Sequence, residues 1–340
     1  MIKIAIIHAG YAEEPDGYYD SKGCVTKKDA LDLIYVNLNK TIKMLREAGQ
    51  NNADIAVTNE DFMDIGRHIR SVEQPEMFSR LVTEAEDKVI NELSAVAREY
   101  GMLIAANEYE SDSGRIYNTT KLIGRDGATI GKYRKLHIPS GERFQVQSGG
   151  QAPNVMKTDI GFIGFSICYD NNFPEHCRML ALDGADIIIH QTQGWGTGGK
   201  SSALTGEAFM RVRAAENCVY FIVAKNIQNE GGKSCIVDNH GNIVSTMGSS
   251  SDNLFITEID PDFDMCDKYN YDNYYAGVKN KRARQLLMRE PSVYGRLVDG
   301  DSAINSEALR DSKLYDRDQR DAAIKALNEL DFEERSKFYW

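Results

Sequence analysis

Apolar residues fall along this chain in two rhythms, and each predicts a different kind of element. Residues 2–8 are apolar and β-branched almost throughout, which predicts a buried opening strand. Leu31, Ile34, Leu38, Ile42 and Leu45 then recur at three- and four-residue steps, the spacing of a helix that buries one face. Gly49 is the expected stop of that helix. Residues 53–58 predict a second buried strand, which runs out at Asn59-Glu60-Asp61. Residues 61–80 show no sustained period and read as a loop or short-helix insertion. A second helix is expected over about residues 81–100, with Val89, Leu93, Val96 and Ala97 on one face and Gly101 as its stop.

A strand at 102–107 follows, then a meander of 116–124 and 129–135 turned by Arg125-Asp126-Gly127. The second half repeats the theme. Strands at 154–158 and 162–167 lead to Cys168, a short helix covers 174–183, and 185–190 is a strand. A Gly-rich loop at 194–199 precedes a helix over 206–217, a strand at 219–224 and a hairpin of 233–238 with 242–247, turned by Asn239-His240-Gly241. Strands that alternate with helices and also form meanders predict an α/β fold, with mixed sheets covered by helices on their outer faces.

No Pro-, Gly- or Ser-rich linker interrupts residues 1–300, which are read as one domain. Charges dominate residues 301–340, with a thin apolar stripe at Ile324, Leu327 and Leu330. That segment is read as a charged, helical extension lying over the domain or a neighbouring subunit, or as a solvated tail.

Composition narrows the partners. With 42% hydrophobic residues the chain can build a sizeable core, and its formal net charge of −11 argues against nucleic acid or an anionic membrane as partner. No apolar run approaches the roughly 20 residues that span a bilayer. The apolar start is too short for a signal peptide. The cysteines, at 24, 168, 177, 218, 235 and 266, are scattered, with no CxxC pair and no Cys/His zinc spacing. A cytoplasmic protein with no metal site is the expectation.

Three predicted strands end in groups that carry chemistry: Glu60, Lys135 and Cys168. A rigid sheet aims the residues at its strand ends, so such positions build sites. A thiol at its free pKa is mostly protonated and needs a base or a nearby cation. A glutamate can take that proton and return it to a leaving amine. A lysine supplies fixed positive charge where an oxyanion develops, and the backbone N–H of Tyr169 is the obvious second donor.

These residues sit in recognisable blocks: residues 53–60, Gly131-Lys132-Tyr133-Arg134-Lys135-Leu136-His137, and residues 164–175 around Cys168. Ile116-Tyr117-Asn118-Thr119, Ala185-Asp186-Ile187-Ile188, residues 211–217 and the 234–241 hairpin add further matches in order. Together they resemble the nitrilase superfamily of carbon–nitrogen hydrolases. The resemblance implies a four-layer α-β-β-α sandwich, built into homo-oligomers of two or more subunits. It implies Glu60 as general base, Lys135 as oxyanion stabiliser and Cys168 as nucleophile, with Glu142 as a second glutamate that positions the substrate amide. It implies hydrolysis through a thioester, with no metal or organic cofactor.

Departures from the family pattern refine the substrate. Asn59 stands where proline is frequent, which leaves the chemistry intact. Cys168 is followed by Tyr169-Asp170, whereas true nitrilases of the superfamily carry Cys-Trp-Glu. The pattern resembles amidases and carbamoyl-amidases, so a small linear amide or ureide is expected, ahead of a nitrile substrate or a catalytically silent scaffold. Asn171 and Asn172 replace the arginines that hold a substrate carboxylate in carbamoyl-amino-acid hydrolases, although Arg143 could supply that cation. Tyr169 and Trp195 are further candidates for lining the substrate site. His137 and His190 are read as structural, Cys177 as core, and Tyr269, Tyr271, Tyr274 and Tyr275 as an interface or lid. Residues 196–201 lack the glycine–lysine spacing of a phosphate loop.

Overall fold

The structure is a computed structural model that describes residues 1–69, 71, 73–74, 76–139, 141–143, 145–194, 200–226, 233–247, 253–260 and 288–298. Its strands are β1 (Ile2–His8), β2 (Ile55–Val57), β3 (Leu103–Asp112), β4 (Arg115–Ile123), β5 (Thr129–Arg134), β6 (Val146–Gln147) and β7 (Val155–Thr158). They continue with β8 (Gly161–Ile167), β9 (Ile187–Thr192), β10 (Tyr220–Lys225), β11 (Cys235–Val237), β12 (Ile243–Thr246) and β13 (Asn253–Ile259). The helices are α1 (Lys27–Gln50), α2 (Met77–Tyr100), α3 (Pro174–Leu182) and α4 (Lys200–Asn217).

One sheet runs β13-β1-β2-β3-β4-β5 with β6 paired to β4, and the other runs β12-β11-β10-β9-β8-β7. Three apolar layers hold these elements together. Leu38 and Leu45 of α1 with Phe78, Leu81 and Leu93 of α2 cover Ala5, Ile7, Ala56 and Ile104 of the first sheet. Ile4, Ile6, Val57 and Leu103 face Phe165, Ile167, Ile189 and Ile222 between the sheets. Leu180 of α3 and Met210 and Ala214 of α4 close the far side against Ile188, Phe221 and Val223. The predicted four-layer α-β-β-α sandwich is therefore the architecture. Alternating side chains explain the layering, since each central strand is apolar on both faces.

Strand direction decides where the polar ends go. β1, β2 and β3 are mutually parallel, as are β8, β9 and β10. β5 lies antiparallel to β4, which is antiparallel to β3, so β5 ends at the same edge as β2. Glu60 and Lys135 thus leave their sheet at one edge.

Some expected boundaries shift. Gly101 does stop α2 in the left-handed conformation (φ 59°), but Gly49 does not stop α1. The helix runs through it to an Asn51 cap, and a Cβ on Gly49 would stand 2.2 Å from the ring of Tyr100 at the end of α2. Glycine is there because two helices approach closely. The region 61–80 holds a 3-10 turn at Ile65–His68 and the start of α2. The sequence pattern missed β13, whose register against β1 pairs Ile2 with Ile259 and His8 with Asn253, and it missed the short β6.

The chain forms two compact units, Met1–Arg284 and Gln285–Trp340. In the second, the described residues form short 3-10 turns at Pro291–Val293 and Gly295–Leu297. The expected extension at 301–340, the tyrosine cluster at 269–275 and Cys266 lie outside the described residues. Among the described residues no helix is long and apolar enough to cross a membrane.

Gly49→Ala is expected to destabilise the fold by about 1–3 kcal/mol through overpacking, although alanine gains about 1 kcal/mol over glycine in helix propensity. A urea midpoint equal to or above the wild type would show that α1 and α2 do not need this approach.

Candidate active site

Glu60 follows β2 and is almost fully enclosed, with 1% of its surface exposed. Its Oε1 accepts from Lys135 Nζ at 2.9 Å and from Asn118 Nδ2 at 2.9 Å, and its Oε2 accepts from the backbone N–H of Gln193 at 2.8 Å. The chain reverses directly afterwards. Asp61 takes φ 48°, and its carboxylate accepts the N–H groups of Ile65 (3.0 Å) and Gly66 (2.8 Å), closing the turn.

Lys135 follows β5 and has no exposed surface. Its backbone continues the ladder, donating to Asn118 O at 2.8 Å and accepting from Gly149 N at 2.9 Å. Nζ bridges Glu60 and Glu142, with Glu142 Oε1 at 2.8 Å. Burial alone would lower this ammonium, but the two carboxylates outweigh it and hold Lys135 well above its usual range. It stays cationic across neutral pH. Burial raises the Glu142 carboxyl, Lys135 pulls it down and Glu60 pushes it up. Glu142 Oε2 is closed off from solvent and has no hydrogen-bond partner among the described residues.

Cys168 begins the 3-10 turn Cys168–Asn172 directly after β8, with φ 45°. A non-glycine residue in the left-handed region is held there by its surroundings, at about 1–3 kcal/mol. Its thiol lies within electrostatic reach of Glu60, Lys135 and Glu142, with the Thr192 side chain at the end of β9 close by. Burial, reinforced by Glu60, pushes it up to about 12 despite Lys135. At pH 7 the resting group is therefore a thiol. Attack by this sulfur requires a base in reach.

Asp170 holds the turn that carries Cys168. One oxygen accepts from Ile167 N at 2.9 Å and Tyr133 Oη at 2.8 Å, the other from His137 N at 2.9 Å and His137 Nδ1 at 2.8 Å. Tyr133 Oη in turn accepts the N–H of Leu136 at 3.1 Å. One buried carboxylate thus ties the residue before Cys168 to the residues after Lys135. Burial would raise this carboxyl, but His176, the His137 ring and these backbone donors outweigh it and hold it at about 2.

His137, Asp170 and His176 bring one ligand atom each within 4.8 Å of the others, the one group among the described residues that could hold a metal ion. The four bonds to Asp170 already account for its oxygens, and His176 Nε2 bonds Phe165 O at 2.9 Å. The cluster fits a structural clamp. His137 also stacks on Phe173 at 3.8 Å, and His190 is buried against Ser166 Oγ at 3.1 Å, so both behave as the structural residues expected.

Among the other candidates, Tyr169 is exposed at 38% with its ring edge against Phe173. Arg143 donates from Nε to Ile138 O at 2.8 Å. Trp195 lies outside the described residues. Sequence reading assigned no role to Asn118, Thr192 or Gln193, all of which touch Glu60 or Cys168. Asn118 stood in a recognised block, which was the only signal available.

A four-layer sandwich whose parallel strand ends bring together a thiol, two carboxylates and a buried ammonium defines a candidate hydrolase. The sequence model of the Carbon-nitrogen hydrolase family matches residues 34–264, and the chain belongs to that family. It is 32% identical over 231 residues to a nitrilase of Pyrococcus abyssi, covering 66% of this chain and 83% of that protein. It is 29% identical over 219 residues to an N-carbamoylputrescine amidase of Solanum tuberosum, covering 62% of this chain and 71% of that protein. It also shares its fold with a variant of the amidase from Nesterenkonia sp. AN1 whose active-site cysteine carries the acetamide moiety of fluoroacetamide. That match has a TM-score of 0.63 and 19% identity, and covers 87% of this chain and 96% of that one.

The Asp170 clamp has a pH signature. Its folded value of about 2 lies below the ordinary aspartate value of 3.8, so its contribution is fully present above about pH 4 and is lost as pH falls toward 2. Asp170→Asn is expected to lower the unfolding free energy by roughly 2 kcal/mol at pH 6. The gap to wild type should shrink on acidification below pH 4. A gap that is constant with pH in urea titrations would rule out this role for the charge.

Proposed function

We propose that the protein hydrolyses a small linear amide or N-carbamoyl amine through a thioester on Cys168. The observation that carries this reading is Lys135 buried between Glu60 and Glu142, with the Cys168 thiol within reach of all three. Cys168 Sγ attacks the carbonyl carbon while Glu60 takes the thiol proton, which is needed because the resting thiol titrates at about 12. Lys135 Nζ and the Tyr169 N–H stabilise the oxyanion. The tetrahedral intermediate collapses as Glu60 returns the proton to the departing ammonia or amine. Glu60 then takes a proton from water, which attacks the thioester carbonyl, and Glu60 returns that proton to the departing sulfur as the acid is released.

Glu142 orients the substrate in this reading. Its Oε2 is a closed-off acceptor without a partner among the described residues, and an amide or ureide NH₂ supplies the donor that it lacks. A nitrile has no N–H and leaves that oxygen unpaired, so amides and ureides are favoured. The similarity to the Solanum tuberosum N-carbamoylputrescine amidase and the Nesterenkonia amidase supports the same classes. Nitrile hydrolysis is the second reading, favoured by the likeness to the Pyrococcus abyssi nitrilase. The reading takes residues 1–300 as the hydrolase domain and the assembly as a homo-oligomer.

Ammonia release should be measured across simple amides, N-carbamoyl amines, N-carbamoyl amino acids and nitriles. Turnover on the first two is expected, and activity confined to nitriles would overturn the assignment. Cys168→Ala should reduce turnover on the order of 10⁴-fold or more, and intact mass during turnover should show an acyl adduct on wild type alone. Ammonia release that survives Cys168→Ala would falsify the mechanism.

A further inference from the structure

We propose that Asn118 is a positioning residue whose amide, turned to face Glu60 by Asn107, holds the Glu60 carboxylate against Lys135. The inference rests on the reading of Glu60 and Cys168 as base and nucleophile. The two ends of an asparagine amide are alike in shape, and only hydrogen bonding decides which way it faces. Here the direction is set by backbone groups that cannot reverse.

The backbone N–H of Asp61 can only donate, and it donates to Asn107 Oδ1 at 2.8 Å. Asn107 must therefore present its NH₂ on the other side, where Nδ2 meets Asn118 Oδ1 at 2.8 Å. That leaves the NH₂ of Asn118 facing Glu60 Oε1 at 2.9 Å. The circuit begins at the residue after Glu60 and ends on the Glu60 carboxylate.

A second anchor fixes the same direction independently. Gln191 Nε2 donates to the carbonyls of Thr58 (2.8 Å) and Ala105 (3.2 Å), which can only accept. Its Oε1 then accepts from Thr120 Oγ1 at 2.5 Å, and Thr120 Oγ1 is left to accept from Asn107 Nδ2 at 3.3 Å. Asn107, Asn118, Thr120 and Gln191 are all fully buried between the sheets, so each flipped amide would leave unmatched polar atoms in the interior.

The charges explain why such a donor is needed. Glu60 and Glu142 share one ammonium, which leaves one net negative charge in an enclosed site. Asn118 donates to Glu60, and its amide also helps to pull the nearby Glu142 carboxyl down. It is a neutral donor to Glu60, where an acceptor in the same place would repel that carboxylate. The titratable groups facing this cluster are Glu60, Lys135, Glu142 and Cys168, with Tyr11, Asp61 and Tyr109 behind them.

The test uses the full chain and reads alkylation of Cys168 by iodoacetamide against pH, with the modified peptide located by mass. In wild type the rate is expected to fall on the acid side as the assistance of the charged carboxylates is lost. Asn118→Ala removes the donor that favours their charged form and should move this acid limb upward by about one pH unit. Asn107→Asp keeps the volume and the contact with Asp61 N–H, but as an anion cannot donate to Asn118. Its limb should move upward at least as far, because the Asn118 amide turns its oxygen to Glu60. In the double variant Asn107→Asp should shift the limb by less than it does alone, since the part that passes through that amide is lost and only the through-space effect of the new charge remains.

Unmoved acid limbs in the single variants, or shifts that simply add in the double variant, would overturn the inference. Thermal melts check the folding of each variant, and Asn107→Asp carries the test alone if Asn118→Ala does not fold. Ammonia release is measured beside alkylation. A wild type whose Cys168 shows the acid limb but which releases no ammonia from any amide or carbamoyl amine sinks the hydrolase reading, while the limb shifts still decide the relay.

Discussion

A lysine with no exposed surface, gripped by two glutamates, is the constraint around which this site is built. Removing three charges from water costs several kcal/mol per ion unless each is paired and its remaining hydrogen-bonding capacity is used. The surroundings meet that demand closely. Glu60 has donors on both oxygens, from Lys135, Asn118 and the Gln193 backbone. The inter-sheet network of Asn107, Thr120 and Gln191 then satisfies the groups that orient Asn118. The oxygen left over, Glu142 Oε2, has no hydrogen-bond partner among the described residues. The same charges act on the thiol, where burial and Glu60 outweigh Lys135 and keep it protonated until a base takes the proton.

Rigid strands bring these groups together from distant parts of the chain. β2 and β5 end at the same edge of one sheet, and β8 and β9 carry Cys168 and Thr192 at strand ends of the other. The apolar layer between the sheets, with Val57, Ile167 and Ile189, sets how closely the two edges approach. Asp170 adds a polar tie across the same gap, from Ile167 to His137. It makes Tyr169-Asp170 more than a mark of the amidase branch, because the aspartate is the clamp that fixes the strained Cys168 turn.

Glu60, Lys135, Cys168 and Glu142 were legible because each follows an abrupt change from apolar run to polar turn or sits at a family spacing. Gly49 was misread because a glycine near a helix end looks the same whether it stops the helix or admits a neighbouring ring, and Tyr100 lies fifty residues further along. β13 escaped notice because its burial depends on pairing with β1, at the opposite end of the chain segment. Asn118 stood in a recognised block with no role assigned, Asn107 looked like the polar end of a predicted strand, and Asp170 like a family marker.

The sequence alone determined the layered α/β class and most of the helix and strand order, and it singled out the candidate reactive groups, since these follow from local period and from side-chain chemistry. Tertiary structure decided which way each amide faces, which carboxylate shares the lysine, and where the thiol titrates. Those properties depend on distances between groups scores of residues apart and on the exclusion of water around them. No local pattern encodes either, and both exist only once the two sheets have closed on each other.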